Sequence, residues 1–244
     1  MAVEREIRYK EFINCCRIPW GKILDIIVRS GIQPAHSFDL YGVLLDADKL
    51  GEQKIARYEA LAKAQGIDPA VIAAVIADYR ALLGGDPSLT GRRKGNIVDA
   101  LTTPIEKAGI ELDYRGALLE DAVYAARQIL DAKERLIIFS SRESPWLKRS
   151  LPEDIAERIG DIYGDDKSEP AAFGRLIVKE AAKSGRVVSH TADELPELLA
   201  ARGHVPNLIY VNRNNSNIKE VVLSQGIQMY VETLREVPYT TLSK

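Results

Sequence analysis

Phe38-Asp39-Leu40-Tyr41-Gly42-Val43-Leu44-Leu45-Asp46 constrains the fold more than any other stretch of this chain. A short apolar run leads to one carboxylate at an expected strand end, and a glycine turn follows at once. A carboxylate within a strand needs a buried partner, whereas one at the carboxyl end of a parallel strand stands where open α/β sheets bind ligands. Taken alone, the stretch has a second reading, in which Asp39 merely caps a turn.

Further strand candidates supply the rest of such a sheet. They are Arg135-Leu136-Ile137-Ile138-Phe139, Arg186-Val187-Val188-Ser189, and the runs Asn207 to Val211 and Ile227 to Val231. Amphipathic helical patterns at 118–132 and 170–183 separate them. This alternation predicts a doubly wound, mostly parallel sheet. The 244 residues, 46% of them hydrophobic, suffice for one α/β domain and a smaller insertion.

Two segments stand apart from that alternation. Residues 1–34 read as two short amphipathic helices broken at Pro19 and Gly31, expected to cover part of the core or supply a subunit contact. Residues 48–113 read as helical throughout: Asp68-Pro69 is a strong helix start, Gly84-Gly85 a stop, and Ile97 to Lys107 a second amphipathic stretch. Between these lies the basic loop Thr90-Gly91-Arg92-Arg93-Lys94-Gly95-Asn96. On its own it is an ordinary solvated connection, with contact to an anionic ligand as the alternative.

A net charge of -2 gives no field that favours nucleic acid or a membrane surface. No apolar run approaches a bilayer span, and Met1-Ala2-Val3-Glu4-Arg5-Glu6 is too charged for a secretion signal. The vicinal Cys15 and Cys16 suit burial in a reducing cytoplasm. The expected partners are small molecules or other proteins.

Asp39, Gly42, Val43, Leu44 and Asp46 resemble the first motif of the haloacid dehalogenase (HAD) superfamily, an apolar strand followed by Asp-x-Asp-Gly-[Thr/Val]-Leu, with Tyr41 in place of the second Asp. Ser140, ending the strand at 135–139, resembles the second motif. Lys167, Pro170 and Phe173 keep the spacing of the third, with Ser168 for its first proline. The fourth is Gly-Asp-x-x-x-Asp. Aligned without a gap from Val188, it puts His190 at the first acid and Glu194 at the second, with Asp193 three residues late. His190 also reads as a histidine satisfied by hydrogen bonds at a strand end. The run Val188 to Glu194 resembles equally the fourth motif of the metal-free L-2-haloacid dehalogenases, whose first motif carries Asp-x-Tyr-Gly. Val43, Arg142 and Phe173 depart from that branch.

The resemblance implies a HAD-like Rossmannoid α/β core over 35–47 and 114–244, an inserted all-helical cap at 48–113 and a helical extension at 1–34. It implies a phosphatase of a small phosphorylated metabolite. Asp39 would form an aspartyl phosphate, Ser140 and Lys167 would hold the phosphoryl oxygens, and Tyr41 would stand where the general acid belongs. Gly42, Ser141, Arg142, Arg92 and Arg93 would contact the anionic substrate. Mg²⁺ would be held by Asp39, the Tyr41 carbonyl, and Asp193 or Glu194, in a site that His190 weakens. One alternative is metal-independent hydrolysis at carbon. Another is an inactive binding protein using the extension and cap as contact surfaces, the same surfaces through which a homo-oligomer would form.

Overall fold

The computed structural model describes residues 32–84, 91–140, 147–213 and 217–242. Outside them lie most of the amino-terminal extension, with Cys15 and Cys16, and the candidate site residues Ser141 and Arg142; so does the side chain of Arg92. Among the described residues, no helix is long and apolar enough to cross a membrane.

Six strands run β1 (Gln33–Asp39), β2 (Arg135–Ser140), β3 (Ile162–Gly164), β4 (Gly185–Ala192), β5 (Asn207–Val211) and β6 (Met229–Val231). They form one sheet in the order β3-β2-β1-β4-β5-β6, every neighbouring pair parallel. Strand order reverses between β1 and β4, and the crevice at such a reversal is where doubly wound sheets bind ligands. The helices of this part are α4 (Glu120–Asp131), α5 (Leu147–Ser150), α6 (Glu153–Ala156), α7 (Pro170–Ala182), α8 (Leu195–Ala201), α9 (Lys219–Ser224) and α10 (Tyr239–Leu242). Ala172, Phe173 and Leu176 of α7 and Leu198 and Ala201 of α8 cover one face, packing with Phe139, Ala192 and Leu208. On the other face the Tyr239 ring meets His36 and Phe38.

β6 begins at Met229, two residues later than expected, and two further strands depart from the sequence expectation for a physical reason. Ile162–Gly164 is too short to show periodicity and exists by pairing with Ile138–Ser140 of β2. β4 runs three residues past Ser189, where the apolar pattern ends, because its polar residues find partners on both faces. His190 reaches Ser37 and Glu197, and the Thr191 hydroxyl lies 3.0 Å from that of Tyr239.

The chain divides into two compact units, the sheet with its covering helices and a second unit, Leu45–Leu118. The second holds α1 (Ala47–Ala64), α2 (Pro69–Leu83) and α3 (Gly91–Lys107). Asp46 caps α1 by accepting from Lys49 N at 2.9 Å, and Asp68 caps α2 by accepting from Ala70 N at 2.8 Å with Pro69 in the first turn. Ile55, Tyr58, Ile72, Tyr79, Leu101 and Ile105 form its core. The basic loop expected around Arg92 and Arg93 is instead the opening of α3, which starts at Gly91. Its polar side chains and glycines mask helix when read as propensity, whereas the buried Ile97, Leu101 and Ile105 supply the packing that extends the helix.

Candidate active site

Asp39 is the last residue of β1, 5% exposed, at the carboxyl edge of the sheet beside the strand-order reversal. Its Oδ1 accepts from Leu40 N at 2.5 Å and pairs with Lys167 Nζ. Gly42 follows at φ +75°, a left-handed backbone that glycine adopts without strain. A Cβ at Gly42 would also lie 1.9 Å from Asp193 Oδ2, so the missing side chain is what leaves room for the Asp193 carboxylate.

Lys167 stands in the loop between β3 and α7, and local bonds pin that loop. Arg175 donates to both oxygens of Asp165 at 2.7 Å, and Ser168 donates to Asp166 Oδ1 through its amide and hydroxyl. Lys167 itself is 8% exposed, and its ammonium pairs with Asp39 and, at 2.6 Å, with Glu197 Oε2. Burial alone would favour the neutral amine, but the two carboxylates outweigh it and hold the Lys167 pKa above its ordinary value.

Asp193 directly follows β4 and is partly buried against Gly42. His190 lies inside the sheet, fully buried, Asp193 stands at the end of β4, and Glu194 is exposed at the start of α8. Glu197, which the sequence analysis does not single out, follows Asp193 by four residues, the interval between the acids of the Gly-Asp-x-x-x-Asp pattern. The signal was present as Ala192-Asp193-x-x-x-Glu197.

Behind Glu197 the polar chain continues through the sheet. His190 Nε2 donates to Glu197 Oε1 at 2.8 Å, and its Nδ1 lies 3.1 Å from Ser37 Oγ. Burial and the nearby Lys167 charge press the His190 pKa down to about 3. The ring is therefore neutral. One residue back in each strand the pairing is reversed, with His36 Nδ1 2.7 Å from Ser189 Oγ. These reciprocal His–Ser pairs follow a bulge between Ala35 and His36, in the register that pairs Phe38 with Thr191 and so brings the carboxyl ends of β1 and β4 together.

The site carries more negative than positive charge. Burial first, then Glu197, raise the Asp39 pKa to about 7 against the pull of Lys167. Burial, then Asp39, Glu194 and Glu197, raise that of Asp193 to about 8. Each of these two carboxylates, once ionised, disfavours ionisation of the other. Among the described residues, no group of three or more His, Cys, Asp or Glu side chains is arranged to hold a metal ion.

Of the remaining candidates, Ser140 is buried at the carboxyl end of β2, Tyr41 is partly buried in the turn after Asp39, and Arg93 is exposed in the helical unit. Phe173 packs edge-to-face on Phe139 and His190, with ring centroids 5.1 and 5.0 Å away.

Gly42→Ala is expected to lower stability by about 1–3 kcal/mol through backbone strain alone, and by more through displacement of Asp193. Gly66→Ala is the control, because Gly66 has φ +69° with no atom within 4 Å of its notional Cβ. Equal losses in urea unfolding of the two variants would disprove the contact with Asp193.

No family model and no curated protein sequence matches the chain. Solved structures do. A dehalogenase superposes with a TM-score of 0.53 at 15% identity, covering 88% of this chain and 99% of its own. A HAD phosphatase from Thermococcus onnurineus gives 0.53 at 15%, covering 83% and 95%. YfnB from Bacillus subtilis, described as a HAD-hydrolase bound to magnesium, gives 0.54 at 14%, covering 87% and 99%. The fold is that of the HAD superfamily.

Proposed function

We propose that this chain is a HAD-type hydrolase that removes phosphate from a small phosphorylated metabolite through a covalent intermediate on Asp39. The observation that carries the reading is the approach of the Asp193 carboxylate to the turn after Asp39, whose own carboxylate pairs with Lys167. Asp39 and Asp193, with the Tyr41 carbonyl, would hold Mg²⁺, whose charge when bound would offset that of the phosphoryl oxygens. The hard oxygen donors and the surplus of negative charge suit such an ion.

Lys167 and Leu40 N engage Asp39 Oδ1, so the attack is assigned to Oδ2. The Oδ2–P bond forms as the bond from phosphorus to the leaving oxygen breaks, and the leaving oxygen takes its proton from solvent. Water then attacks phosphorus and the Oδ2–P bond breaks, which regenerates the carboxylate. One proton stays on the released phosphate and the other returns to solvent. Lys167 keeps its charge throughout and balances the anion on Asp39.

Tyr41 shapes the specificity of this scheme. A phenol is a poor proton donor near neutral pH, and a positioned general acid accounts for about 10²–10⁴-fold in rate. Phosphates with good leaving groups, such as aryl phosphates, are therefore expected to exceed alkyl phosphates by at least about 100-fold in kcat/KM. A flat dependence on leaving-group acidity would show that another residue delivers the proton.

Tyr41 also favours a second reading, metal-free displacement at carbon, in which Asp39 forms an ester and a halide leaves without protonation. Release of phosphate from an aryl phosphate and of halide from a 2-haloacid, each in Mg²⁺ and in chelator, separates the two. Magnesium-dependent phosphate release is the expected result. Halide release in chelator would establish the second reading, and silence in every arm would remove both in favour of a binding role.

A further inference from the structure

The turn after Asp39 is held from outside by a residue far along the chain. Arg213, just beyond β5, donates from Nε to the Gly42 carbonyl at 3.0 Å and from Nη2 to the Val43 carbonyl at 3.3 Å. Its other face forks onto Asp121 near the start of α4, Nη1 to Oδ2 at 2.8 Å and Nη2 to Oδ1 at 3.0 Å. Asp121 is fixed in turn, because Oδ2 also accepts from Leu234 N at 2.8 Å and from Thr233 Oγ1 at 3.1 Å. The ion pair is largely buried, with side-chain exposures of 18% for Arg213 and 12% for Asp121.

Gly42 is thereby fixed on two sides, by Asp193 at its Cα and by Arg213 at its carbonyl. The guanidinium suits this task because its planar fork bonds two carbonyls and a carboxylate at once, which a lysine ammonium cannot reproduce. We propose that Arg213 is a positioning residue for the active site: anchored by Asp121, it fastens the Gly42–Val43 turn and so sets the placement of Asp39 relative to Asp193. It touches neither reacting atom. The inference rests on the assignment of Asp39 and Asp193 as the acting pair.

The test uses the full chain with Arg213→Lys and Arg213→Gln. Arg127→Gln is the control, since Arg127 makes a similar fork on Asp154, at 2.7 and 3.1 Å, on an exposed surface. Amide hydrogen exchange in chelator reads the turn directly. Exchange over residues 40–45 is expected to quicken by about tenfold or more in both Arg213 variants, with β1 still protected and the control unchanged. Wild-type exchange over 40–45 would overturn the inference whatever the activity.

Turnover of an aryl phosphate with Mg²⁺ reads the consequence. Arg213→Lys is expected to lower kcat by about 10–100-fold with KM within about threefold, since small misplacement of reacting groups costs rate more than binding. A loosened turn with wild-type kcat would overturn the positioning role. Hydrolysis that survives Asp39→Asn would instead remove the phosphatase reading, and exchange would still decide the clasp.

Discussion

Asp39→Asn is expected to lower turnover of an aryl phosphate by on the order of 10⁴-fold or more, because the amide cannot form the covalent intermediate. The same substitution is expected to leave the protein folded. One ammonium, Lys167, is shared by two carboxylates, Asp39 and Glu197, so removing one carboxylate leaves a matched pair. Asparagine also keeps an oxygen to accept from Leu40 N and Lys167.

The effect on stability has a definite sign in metal-free buffer. The folded-state pKa of Asp39 is about 7, above its unfolded value near 3.8. The folded state therefore binds the extra proton between these values, and the contribution is fully present below pH 4 and lost as pH rises through 7. Asp193, raised from 3.8 to about 8, behaves likewise. Wild type should thus weaken from pH 4 to pH 8 by on the order of a few kcal/mol. Asp39→Asn should weaken less, because it lacks one titration and relieves Asp193 of a neighbouring charge. Urea unfolding in chelator across that range checks this. A variant as pH-sensitive as wild type would mean that Asp39 is not the strained acid, and retained turnover would end its assignment as nucleophile.

Lys167→Met is expected to do the opposite. It strands the carboxylates of Asp39 and Glu197, 5% exposed each, without their shared cation. Breaking a buried pair in this way costs about 3–5 kcal/mol. Both acids would then hold their protons more tightly, so the loss should be smaller at pH 5 than at pH 8. Adding Glu197→Gln to Lys167→Met should recover part of it, and a double-mutant cycle in urea unfolding measures that coupling. Additive losses, or a loss independent of pH, would show that Lys167 is not bridging the two carboxylates.

The contrast between these substitutions follows from charge counting that no linear reading supplies. Asp39 was legible because it ends an apolar strand before a glycine turn, and Lys167, which pairs with it, because it keeps the spacing of a family motif before a proline-started helix. Glu197 was not, although Asp193 and Glu197 carry the interval of the fourth motif. The apolar run of β4 breaks at Ser189, and the continuation through His190 and Thr191 depends on partners from Ser37, Glu197 and Tyr239. Those partners are distant in sequence, so alternation alone ends the strand three residues early.

Arg213 shows the same limit more sharply. In sequence it is one basic residue in a polar loop, and only folding brings it to the carbonyls of Gly42 and Val43 and to Asp121. The opening of α3 is a further case, helical through the burial of Ile97, Leu101 and Ile105 although its first residues read as a loop. By itself the sequence determined the α/β alternation and the carboxylate at the end of the first strand, because periodicity and turn chemistry act over neighbouring residues, while the lysine that joins it was marked only by its resemblance to a family motif. The tertiary structure alone decided which acids meet, how far β4 extends and what fastens the turn, because buried polar groups are set by partners that sequence distance conceals.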